Sequence, residues 1–212
     1  MEITIFDRII LLVTGLIALY LIYRFYDQYK SREAKQDFSI YYILSFAVLF
    51  VAGVLIILFG FDVLNIPFIK VVATLIPFGI AIGLINEFYR KYYSGYTIFL
   101  AIGFLLIALS SYGVFETIVF YPIFHAIAGL TIFLVPIFVS QKKNTNKNFY
   151  WVGIGGALIG IGGIALASLN FGAPLLGIFT QEVVFTILTP ILFLMTLSFA
   201  YGFIKKRQDV TT

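Results

Sequence analysis

His125 is the one histidine in a chain of 212 residues, and it stands in the stretch Tyr121–Leu130, YPIFHAIAGL. An imidazole can act as a base, a proton carrier, a metal ligand or a hydrogen-bonding group for a solute. Each role needs partners. Tyr121 lies four residues earlier and Gly129 four later, on the same face of a helix. Pro122 lacks an N–H and so frees the carbonyl of Ile118. A metal site calls for three or four ligands. With a single histidine, no cysteine and carboxylates only near the ends of apolar segments, no metal is expected. No Ser–His–Asp set or carboxylate pair supplies the orienting partner that catalysis needs, so neither an enzyme activity nor a cofactor is expected. Two readings stay open. His125 with Tyr121 forms a solute or proton site, or His125 is a neutral imidazole bonded to a hydroxyl or carbonyl of a neighbouring helix.

The elements that carry these groups follow from composition. The chain is 61% hydrophobic, 18% aromatic and 11% charged, where soluble domains are about 25% charged. Lipid is the solvent that suits such a chain. A hydrocarbon core of roughly 30 Å needs spans of about 20 apolar residues. Seven are predicted in one domain covering 1–212: 5–26, 39–60, 65–88, 95–112, 115–140, 149–170 and 179–204. Backbone groups in lipid must pair within each span, which makes the spans helices; the alternation of a barrel strand is missing. Met1–Arg8 has no basic stretch and the first apolar run ends in Tyr23–Tyr26, so span 1 is expected to be retained rather than cleaved.

Charge sets the orientation. Twelve of the fourteen Lys and Arg residues fall at one end of the spans, in the connectors after spans 1, 3 and 5 and in the tail; only Arg8 and Lys70 fall at the other. The N-terminus is therefore expected outside and the C-terminus in the cytoplasm of a cell membrane. Most tyrosines, with Trp151, cluster at the basic end as an interfacial belt, beside lysines placed to meet anionic lipid headgroups. The net charge of +4 is a topology signal and not one for nucleic acid.

Three further features bear on function. With this topology, spans 1–3 and 5–7 run in the same directions around an odd span 4, a possible 3+1+3 parallel repeat. Lys70-Val-Val-Ala-Thr74 echoes Glu182-Val-Val-Phe-Thr186, and Ala52-Gly53 falls against Gly162-Gly163. The repeat would set Lys70 and Glu182 in equivalent places near the outer boundary, as a candidate outer gate pair. In span 6, Gly153, Gly156, Gly160, Gly163 and Ala167 form a strip of small residues on one helix face, a surface for close helix packing, for a solute path or for self-association. Pro77, Pro122, Pro136 and Pro190 break the hydrogen bonding of spans 3, 5 and 7.

The size, span count and orientation are similar to those of microbial rhodopsins, a resemblance that implies a retinal-bearing lysine in span 7. Residues 179–204 contain no lysine, so retinal chemistry is not expected. The 3+1+3 plan is similar to that of PQ-loop sugar transporters, but the chain has no Pro-Gln pair. The expectation is a seven-helix bundle acting as a small channel or transporter for a solute or ion. The alternative is a non-catalytic membrane scaffold or accessory subunit, as a homo-oligomer or with a partner membrane chain.

Overall fold

The computed structural model describes residues 3–31, 37–114, 119–142, 146–170 and 180–208. Among them the regular structure is entirely helical: α1 (Ile5–Lys30), α2 (Phe38–Phe59), α3 (Pro67–Ala73), α4 (Leu75–Phe88), α5 (Tyr93–Ser111), α6 (Phe120–Ser140), α7 (Tyr150–Asn170) and α8 (Gln181–Gln208), with short 3-10 turns between some of them. Six helical stretches are long and apolar enough to cross a membrane: Ile5–Lys30, Phe38–Phe59, Pro67–Phe88, Arg90–Ser111, Phe120–Ser140 and Glu182–Lys206. The remaining helix, α7, has 21 residues.

Local chemistry explains where the helices begin and end. Thr4 caps α1 by accepting from the Asp7 N–H at 3.1 Å, and the Asp7 carboxylate accepts from the Thr4 N–H in return, a reciprocal capping box. α2 stops at Gly60, whose φ of 76° is open to glycine and strained for other residues. Pro67 occupies the first turn of α3, where its missing N–H leaves no helix bond unmade.

The boundaries differ from the sequence reading in three places. The third span is two helices that meet at Thr74, whose hydroxyl bonds to the Val71 carbonyl at 2.7 Å. Pro77 comes just after this junction and cannot donate to the carbonyl of Ala73. The fifth span starts at Phe120 rather than 115, so Pro122 falls in the first turn, where the helix asks no N–H of it; Glu116 and Ile118 lie outside the described residues. The last helix runs on to Gln208, which carries Lys205 and Lys206 on helix rather than tail.

Six packing positions form a ring. α1 packs on α2 and α8, α2 on α4, α4 on α6, α6 on α7 and α7 on α8. α5 lies outside the ring against α3, α4 and α6. α1 and α8 run in the same direction, as shown by the Thr189–Asp7 hydrogen bond near their starts and the Phe25–Phe203 ring contact near their ends. α4 and α6 also run together, since Lys142 just past α6 lies over the ring of Tyr89 just past α4. Two buried clusters fill the ring. The larger one, towards the C-terminal end, includes Phe25, Tyr42, Phe46, Phe199 and Phe203; the smaller one, towards the N-terminal end, joins Leu11, Ile56, Phe61, Val63, Phe185 and Leu188.

Candidate functional site

Between the two clusters the ring surrounds a partly open cavity of about 100 Å³, room for several waters. Its wall takes residues from α1, α2, α3, α4, α6, α7 and α8, and its polar side chains are Thr14, Tyr121 and His125. Among the described residues the rest of the wall is aliphatic or glycine, with the Met195 thioether, and no charged side chain lines it. Gly15, Gly53, Gly162 and Gly163 contribute bare backbone. Ala73 and Pro77, on either side of the α3–α4 junction, both line it.

His125 is buried, at 8% exposure. Its Nε2 lies 3.3 Å from the Ile159 carbonyl of α7. A carbonyl only accepts, so Nε2 carries the hydrogen and the neutral ring leaves Nδ1 as an acceptor. Nδ1 is itself covered and has no hydrogen-bond partner among the described residues. The Tyr121 ring stacks on the imidazole, centroids 5.4 Å apart and 27° between planes, as two aromatic residues one helical turn apart can do. Across the interface, a Cβ at Gly163 would overlap the imidazole ring. Only glycine at 163 leaves His125 its present place.

The same face of α7 meets α6 along its length. A Cβ at Gly156 would come within 2.6 Å of the Ile132 and Phe133 backbone, and one at Gly153 within 2.8 Å of the Phe133 carbonyl. Gly160 faces Gly129, whose added Cβ would sit 3.7 Å from the Gly160 Cα. The side chain of Ala167 lies outside the described residues. Helices without a solvent-driven attraction associate through such backbone proximity. Gly155 and Gly202 turn towards the α7–α8 contact, where a Cβ would meet the Phe199 ring and Val152. α7 is thus held on both sides.

Lys70 is half-buried on α3, and Glu182 is exposed in the first turn of α8. The two helices pack on different neighbours: α3 on α2, α4 and α5, and α8 on α1 and α7. Among the described residues no three His, Asp or Glu side chains gather as a metal site would require.

A second polar centre escaped the sequence reading. At the C-terminal end, Lys206 of α8 pairs with Glu87 of α4, and Tyr42 of α2 donates to the other carboxylate oxygen at 2.9 Å. The ammonium lies over the rings of Phe88, Phe149 and Phe38, at 4.7, 5.2 and 5.6 Å from their centroids, an arrangement in which each ring face attracts the cation. Composition marks Glu87 and Lys206 only as basic-end charges. The available signal is spacing: Met195, Phe199, Phe203 and Lys206 follow at four, four and three residues, one helical face on which Lys206 continues a buried row. The tyrosines at this end divide likewise. Tyr20, Tyr23, Tyr26, Tyr29, Tyr92 and Tyr201 are exposed, while Tyr42 is fully buried and Tyr41 and Tyr93 bond to each other through their hydroxyls. No protein-family model, curated protein or solved structure matches the chain.

Proposed function

We propose that this chain is a small transporter or channel of the cell membrane, passing a small uncharged solute through the cavity at the centre of its helical ring. The observation that carries the reading is the position of His125: the chain's one imidazole, 8% exposed, in the wall of a cavity bounded by all six ring positions. The described wall carries no charged side chain, which favours a neutral solute, because an ion there would lose its hydration without a counter-charge. His125 and Tyr121 supply the polar contact, and Thr14 a hydroxyl.

In this reading all seven predicted spans cross the membrane, N-terminus outside and C-terminus in the cytoplasm. The ring supports the 3+1+3 repeat. Neighbours 1–2, 2–3 and 3–5 correspond to 5–6, 6–7 and 7–1, and the like-directed contacts α4–α6 and α1–α8 correspond in the same way. A pseudo-two-fold axis then runs through the cavity, lined in equivalent places by Ala52-Gly53 and Gly162-Gly163. Lys70 and Glu182 belong to spans 3 and 7, on opposite arcs of the ring, and we retain them as a candidate outer gate across its mouth.

The scaffold reading draws less support, since α6 of the same chain fills the small-residue strip that a partner would use. Flux of uncharged solutes into proteoliposomes tests the proposal. His125→Ala should change the rate or selectivity; wild-type flux no faster than through bare lipid would favour the scaffold.

A further inference from the structure

We propose that the Glu87–Lys206 pair is the latch of a gate that closes the cavity towards the C-terminal end. The proposal rests on the reading of the cavity as a solute path. α4 packs on α2 and α6, and α8 on α1 and α7, so the two helices stand on opposite arcs of the ring and meet through this pair. The side chains are 10% and 21% exposed, and they join α2, α4, α8 and the 3-10 turn Lys147–Phe149 at one point. Asn146 adds a bond from its amide to the Lys205 carbonyl at 3.0 Å.

Between latch and cavity lies a plug of aromatic rings. Along α8 the buried row descends from Met195 in the cavity wall through Phe199 and Phe203 to Lys206. Along α2 it descends from Leu49 through Phe46 and Tyr42. Phe46, Phe199 and Phe203 interlock with centroids 6.1 to 6.4 Å apart, and Phe25 and Phe203 meet edge to face at 5.1 Å. From Met195 to Lys206 the plug is roughly 16 Å deep at 1.5 Å per residue. Among the described residues the other side is thinner. On α1 the cavity begins at Leu11, six residues from the start of the helix, and its cover is the small cluster around Phe61 and Phe185. Among the described residues the closure is therefore heaviest where the charges meet.

A desolvated carboxylate and ammonium are stable together, or apart with water on each, and costly in between. Separating Glu87 from Lys206 lets both reach water at the end of the bundle and releases α4 from α8, so the plug loses the contact that spans it. Two discrete arrangements of one element are what gating requires.

The chain has no cysteine, so Thr14→Cys in the cavity wall reports access. The full chain is reconstituted in vesicles of known orientation and treated with a small membrane-impermeant methanethiosulfonate from either side. With the latch intact, labelling from the N-terminal side should be at least tenfold faster than from the C-terminal side. Glu87→Gln or Lys206→Met should raise the C-terminal rate tenfold or more, and the exchange Glu87→Lys with Lys206→Glu should restore slow labelling. Equal rates from both sides with the latch intact would overturn the gate without any latch variant having to fold. So would an unchanged C-terminal rate in a variant that elutes as folded protein. Solute flux, measured in parallel on chains that keep Thr14, separates the two readings. Flux with latch-independent labelling removes the gate alone, whereas latch-dependent labelling without flux removes the transport reading.

Discussion

Gly163 and His125 make one unit, and the more informative substitution is on the glycine. Gly163→Ala sets a methyl where the imidazole stands. Overpacking of this kind costs about 1–3 kcal/mol, so thermal unfolding in detergent should shift down and solute flux should fall with it. Gly160→Ala is the matched control, because a Cβ there meets nothing within 4 Å; its unfolding temperature and flux should stay near wild type. Equal effects at both positions would mean that the strip acts by helix packing alone. The histidine is visible in the sequence as the chain's one imidazole. Its partner carbonyl, Ile159, and the glycine that makes room for it are not, because a backbone acceptor has no residue signature and five residues in the strip look alike. Tyr42→Phe reads the other centre: it removes the donor to a nearly buried carboxylate oxygen, about 1–3 kcal/mol for an unsatisfied group, and should lower the unfolding temperature without altering labelling at Thr14→Cys from the N-terminal side.

At the scale of elements, the sequence located the helices well because lipid makes length and apolarity decisive. It did worse on what happens inside them. Pro77 pointed to a break in span 3, but the chain parts three residues earlier, at Thr74, where the hydroxyl caps the carbonyl of Val71. Pro122 looked like a break and sits harmlessly in a first turn. The same residue type reads differently by its distance from a helix start, and that start is hidden when the flanking residues are apolar too. Pro77→Ala supplies the missing donor to Ala73. Amide exchange across 73–78 should slow and flux should decline, since the junction in the cavity wall stiffens; unchanged exchange would show that Thr74, not Pro77, holds the junction open. Gly60→Ala tests the end of α2. With φ at 76°, it should cost about 1 kcal/mol or more, read as a lower unfolding temperature with flux unaffected.

For the whole molecule, the ring and its cavity were beyond the sequence for a physical reason. A helix in lipid is apolar on the face that meets the core and on the face that meets acyl chains, so periodicity does not tell one from the other. Glu87 and Lys206 show this most plainly: both belong to the charged end, and only the assembled bundle turns them inwards. Breaking a buried pair by removing one partner costs about 3–5 kcal/mol; Lys206→Met should therefore destabilise more than Lys205→Met, whose ammonium lies 6.0 Å over the Tyr201 ring at the surface. The central claim is that the cavity beside His125 carries a small uncharged solute. Stopped-flow light scattering of proteoliposomes challenged with formamide, urea, glycerol or potassium chloride tests it most directly. Uptake of at least one uncharged solute should exceed the bare-lipid rate and fall in Gly163→Ala and His125→Ala, with none for the salt. Uptake of potassium chloride, or rates equal to bare lipid for all four, would contradict that claim.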